Sequence, residues 1–179
     1  LFSGPRHFAF NRAGFREGVN PDAHALDAWR CRILTQAAER SLPAFESGKI
    51  TPATLSELAQ LSRFKDGPKR ALELLESLGL PVVIEHHLPK TYLDGAALLG
   101  VEECPVIGLT LRHDRLDNFW FTLFHEVGHV LLHLGEDQRW FFDDTEGGDH
   151  SRQEEEANQF ALDHLIPEWE WRRIQHLRL

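Results

Sequence analysis

A chain of 179 residues, 42% apolar and 26% charged, is large enough for one buried core with a helical extension and lies far from the composition of disordered sequences. Its formal net charge of −9, with Lys and Arg scattered rather than gathered in a stripe, repels a phosphate backbone and argues against direct nucleic-acid binding by this segment. Cys31 and Cys104 belong to no CxxC pair, no apolar run approaches the ~20 residues of a membrane span, and no secretory leader opens the chain, so a disulfide framework, a thiolate zinc site and membrane insertion are set aside and the reducing cytoplasm is the expected compartment.

Residues 1–20 mix Gly, Pro and Arg with Phe2, Phe8, Phe10 and Phe15 and show no sustained period, so they read as an extended docking arm. Asn20-Pro21-Asp22 opens a helical pattern to about Glu39, in which Leu26, Trp29, Ile33 and Ala37 recur at three- and four-residue steps. Thr51-Pro52 starts a second helix carrying Leu55, Leu58 and Leu61. Pro68 and Gly79 bracket a third, with Leu72, Leu75 and Leu78 on its apolar face. The character changes at Leu80, so the expected division is an arm and helical region at 1–79 and a second unit at 80–179.

Three short runs follow, at 81–85, 93–99 and 104–111, the last two joined by a turn at 100–103; they predict a small antiparallel sheet. A helix is expected over 118–134, ended by Gly135, and then an acidic, glycine-containing loop over 136–150. Ser151 caps a final helix, Glu154 completes a capping-box pattern, and Pro167 closes it. Fold class is therefore α+β. The chain begins at Leu1 and contains no Met, which reads as a piece of a longer protein with a further N-terminal domain ahead of it.

Chemistry concentrates in Phe124-His125-Glu126-Val127-Gly128-His129, an HExxH motif. Histidines four apart lie one turn above each other on a helix face, so both imidazoles can reach one metal ion with the glutamate beside it as base. Zinc suits that ligand set. His133 is rejected as third ligand unless the helix breaks, because it lies about 12 Å along the axis from His125. A glycine-then-histidine pattern of the metzincin kind is excluded, since Leu132 and Gly135 occupy those places. The acidic helix remains. Glu154, Asn158 and Ala161 share one stripe, with Asn158 placed to accept from a ligating histidine; Glu154 is the first candidate for the third ligand and Glu156 the second. Tyr92 and His113 are weaker candidates for stabilising an oxyanion, while Trp120, Phe121, Trp140, Phe141 and Phe142 read as core or as a lid.

A short sheet, then Phe121 to His129 with Leu132-His133, then Glu154-x-x-Ala157-Asn158-x-Phe160-Ala161 and Leu165-Ile166-Pro167, resembles the ImmA/IrrE-type metallopeptidase family over roughly half the chain. Ile166 stands where that family usually has methionine. The resemblance implies a zincin-like domain, HExxH plus a downstream glutamate as zinc ligands, and cleavage of bacterial regulatory proteins, typically repressors. It also implies an N-terminal helix-turn-helix domain, absent from this sequence. The expected activity is gluzincin-like peptide hydrolysis with His125, His129 and Glu154 on Zn2+ and Glu126 as base; the alternative is a metal- or ligand-sensing regulatory module that cleaves nothing.

Overall fold

The computed structural model describes residues 21–112, 115–143 and 151–166. The expectations for the arm at 1–20, for His113 and for Pro167 lie outside these residues. Helix α1 spans Ala23–Ala38, and the Asp22 side chain accepts from the His24 and Ala25 N–H groups at its open end. Helix α2 spans Pro52–Gln60, where Thr51 and Thr54 cap each other reciprocally and Pro52 occupies the first turn. Helix α3 spans Gly67–Ser77. It stops at Gly79, which takes φ of 85° while Gly79 N–H bonds Glu76 O and Leu80 N–H bonds Leu75 O. Any Cβ at Gly79 would also sit 2.5 Å from the Pro43 carbonyl oxygen.

Among the described residues four strands follow: β1 (Val82–Ile84), β2 (Gly95–Leu99), β3 (Pro105–Leu109) and β4 (Trp140–Asp143), in the order β1-β3-β2-β4. The sheet is mixed, correcting the expectation of an antiparallel one: β2 is antiparallel to β3 and β4, but β1 runs parallel to β3. Residues 85–94 carry the chain past the width of one strand before β2 begins, and β3 then fills the gap beside β1. Strands buried on both faces lack the alternation that would register a neighbour's direction, so only the tight turn between β2 and β3 was readable. A second correction is β4 itself. It lies within the expected loop and forms because β2 offers Gly95 to Leu98 as a pairing edge.

Side chains alternate across the sheet. Val82, Ala97, Ile107 and Leu109 face a core shared with Leu55 and Leu58 of α2, Leu75 of α3, and two further helices, α4 (Leu116–Leu132) and α5 (Arg152–Leu165). Val83, Ala96, Leu98, Val106 and Phe142 face a second core closed by Leu26, Trp29, Ile33 and Ala37 of α1. Both cores cross residue 80, and α1 is what keeps the second sheet face from water. No described helix is long and apolar enough to cross a membrane.

Candidate metal centre

Helix α4 runs through the middle of the first core and is buried from Thr122 through Val130. Such burial favours the apolar residues around the motif and leaves His125, Glu126 and His129 as its polar interruption. Helix α5 lies against it. Ala157 and Ala161 are fully buried, and Phe160 packs so closely on Gly128 that a Cβ there would stand 3.2 Å from the ring. This approach delivers Glu154 and Asn158 to the two histidines. Ser151 caps α5 by accepting from Glu154 N–H, which leaves the Glu154 carboxylate directed at α4.

His125 Nε2 and His129 Nε2 are 2.9 Å apart, and the Glu154 carboxylate oxygens lie 3.3 Å and 3.4 Å from them. Exposure is 2% at His125, 0% at His129 and 7% at Glu154, so little water screens the group. The Asn158 carbonyl oxygen, which can only accept, is 3.0 Å from His125 Nδ1; the proton therefore sits on Nδ1 and the Nε2 lone pair points at the cluster. Lone pairs and a carboxylate crowded in a buried volume repel one another unless a cation stands among them. A tetrahedral ion with bonds of ~2.0–2.2 Å has donor-to-donor edges of about 3.3–3.6 Å, close to the spacings observed. The three side chains fit a small divalent metal.

Glu126 is wholly buried, and β2 passes directly over it. A Cβ on Gly95 would stand 2.2 Å from Glu126 Oε1 and 2.7 Å from Thr122 Cγ2, so only glycine lets the strand clear the carboxylate. Phe141 of β4 stacks on the His129 ring with centroids 4.2 Å apart and planes at 20°. Gly95 carries no signal of a site role in the sequence, and Phe141, read there as core or lid, reaches His129 only through strand pairing that the sequence does not announce. Tyr92, a weaker oxyanion candidate, has a left-handed backbone with φ of 56° and its carbonyl accepts from Arg112.

His133 and Glu156 stand beyond this cluster. The His133 backbone leaves the helical path at φ −126° and ψ −29°, and its ring folds back against His129 with centroids 5.1 Å apart. Its Nδ1 is 3.1 Å from His129 Nδ1, on the side of that ring away from Glu154, and its Nε2 is 3.0 Å from Glu156 Oε2. Burial pushes the His133 imidazole below the ordinary histidine range, against the opposing pull of Glu156. Glu156, half-buried and bonded first by Arg152 and then by His133, is held below the usual carboxylate range.

Residues 81–178 match the family model Peptidase_M78, described as an IrrE N-terminal-like domain. No curated protein matches the chain. The matched span covers more than half of the sequence and contains the sheet, the HExxH helix and the glutamate helix that face one another in the structure, so the chain belongs to the Peptidase_M78 metallopeptidase family through its IrrE N-terminal-like domain.

Proposed function

We propose that this protein is a zinc-dependent endopeptidase of the gluzincin kind, with His125, His129 and Glu154 as metal ligands and Glu126 as general base. The observation carrying this reading is the convergence of two imidazole nitrogens and one carboxylate within 4.8 Å of one another, with Glu126 next to His125 on the same helix. Two nitrogens and an oxygen without thiolates suit Zn2+ and leave a fourth position for water. Bound there, zinc supplies a Lewis acid that acidifies a water molecule and polarises a carbonyl. Glu126 accepts the water proton on its carboxylate and hands it to the departing amine. Glu154 offsets the ion's charge, and Asn158 keeps His125 in its metal-binding tautomer.

A peptide substrate fits the edge of β4, one of the two terminal strands among those described and the one whose Phe141 lies on His129. Strand addition at that edge draws affinity from backbone hydrogen bonds and asks little of sequence. The resemblance to ImmA/IrrE-type enzymes nominates a transcriptional repressor as the cleaved protein, a helix-turn-helix domain as the attached module, and the bacterial cytoplasm as the setting. Incubating zinc-loaded protein with candidate repressors and reading fragments by mass spectrometry tests this. Cleavage by the parent and none by Glu126→Gln is the expected result; equal cleavage by both removes Glu126 from the mechanism.

A second reading, a metal- or ligand-sensing module that switches an attached domain without hydrolysis, is favoured by the burial of His125, Glu126 and His129 at 2%, 0% and 0% exposure. Zinc uptake without fragments from any repressor or peptide library supports it.

A further inference from the structure

Two residues outside the ligand set remain without a role in the chemistry above, and both are tied to one ligand. His133 Nδ1 lies 3.1 Å from His129 Nδ1, and Glu156 Oε2 lies 3.0 Å from His133 Nε2. The series runs from the surface inward: Glu156 is 41% exposed at its side chain, His133 5%, His129 0%. We propose that Glu156 and His133 form a hydrogen-bonded relay that holds His129 as its Nδ1–H tautomer, so that His129 Nε2 keeps a lone pair for the metal. The proposal rests on the zinc reading.

The direction of the relay follows from what each atom can do. An ionised carboxylate only accepts, so Glu156 takes the proton offered by His133 Nε2. In neutral His133 the other nitrogen is then an acceptor. It faces His129 Nδ1, which must donate, and the lone pair of His129 is left on Nε2, 3.4 Å from the Glu154 carboxylate. The opposite placement would put a proton on His129 Nε2, between it and His125 Nε2, where a cation belongs.

The backbone arranges this. Helix α4 ends at Leu132, and the His133 and Leu134 N–H groups both bond the His129 carbonyl, which turns the His133 ring back over His129 instead of letting it climb a further turn. Phe141 backs both rings, at 4.2 Å and 5.7 Å. The two histidine ligands are thus oriented by unlike groups: His125 by the neutral Asn158 amide, His129 by an imidazole that a carboxylate has polarised. His133 and Glu156 are positioning residues, acting on the metal only through His129.

The test uses the whole chain, zinc as probe, and two readouts. In long-range proton–nitrogen correlation spectra of the zinc-loaded protein, His129 is expected protonated at Nδ1 and His133 at Nε2 alone; a proton on His133 Nδ1 overturns the relay. In chelator competition at fixed pH, His133→Ala is expected to weaken zinc about 10–100-fold, as loss of a ligand's hydrogen-bond partner does elsewhere, and Glu156→Ala, one hydrogen bond further from the ligand, to weaken it measurably but less. His133→Gln, whose carbonyl oxygen can accept the same proton, retains more affinity than His133→Ala. Glu156 is only half-buried on a helix and alanine favours helix, so that variant keeps the fold even where His133→Ala does not. If the parent binds one zinc and Glu156→Ala binds it equally well, the relay falls and the metal reading stands. If the parent takes up no zinc, both fall.

Discussion

Gly95→Ala is the sharpest probe of how the fold seats the general base. Gly95 is held between two strands, opposite Leu109 on β3 and Asp143 on β4, so its backbone cannot retreat without opening two ladders. The added methyl would stand 2.2 Å from Glu126 Oε1, 2.9 Å from Glu126 Cδ and 2.7 Å from Thr122 Cγ2. Carbon contacts relax at ~3.5–4.0 Å, so each of these overlaps by roughly 1 Å. Thr122 is β-branched within a helix and has little freedom at χ1, which leaves the Glu126 carboxylate as the group that moves. It is fully buried and has no solvent to swing into. Overpacking of this kind costs about 1–3 kcal/mol, a fall of roughly 2–12 °C in melting temperature for a chain of this size. A displacement of ~1 Å in a reacting group lowers turnover by about 100-fold. Calorimetry would give the first quantity, and hydrolysis of a peptide library followed by mass spectrometry the second. Chelator competition should show zinc affinity changed by no more than a few fold, because the methyl touches none of the three proposed ligands. Parent-like melting together with parent-like hydrolysis would refute the claim that β2 positions Glu126.

Three further outcomes are expected. Glu126→Gln should bind zinc like the parent while losing about 10²–10⁴-fold in hydrolysis, because an amide cannot take the proton; retained turnover would exclude Glu126 as base. Asn158→Ala removes the acceptor 3.0 Å from His125 Nδ1 and should weaken zinc about 10–100-fold at fixed pH, whereas unchanged affinity would mean that Asn158 only packs between α4 and α5. Trp29→Ala empties the centre of the α1 core, where Trp29 is 0% exposed, and should cost ~3–5 kcal/mol in a single lowered unfolding transition. Two transitions, one unshifted, would show that α1 folds independently of the sheet.

The helices were legible because their signals are local. Asp22, Thr51 and Ser151 cap α1, α2 and α5 through hydrogen bonds to residues two or three positions ahead, and apolar residues at helical spacing face the cores. The HExxH spacing likewise carries its own geometry, since a helix of any context places His125 and His129 on one face. The stripe of Glu154 and Asn158 with small Ala157 and Ala161 also indicated which side of α5 approaches α4.

What pairing and packing decide was not legible. Trp140 to Phe142 is an apolar patch in an acidic segment and, with Asp143, becomes β4 only because β2 presents a free edge; the parallel pairing of β1 with β3 needs the chain to cross over before β2, which no residue pattern specifies. Gly95 reads as an ordinary strand residue until Glu126 is seen beneath it. His133 lies too far along an ideal helix to meet anything near His125, yet the end of α4 folds its ring onto His129, and Glu156, on a different face of α5 from Glu154, meets it there. Local sequence determined the helices, their caps and the histidine pair, because those interactions span only a few residues. The strand order, the seat of Glu126 and the partners of His129 join segments far apart in sequence, whose proximity exists only once both sheet faces are buried.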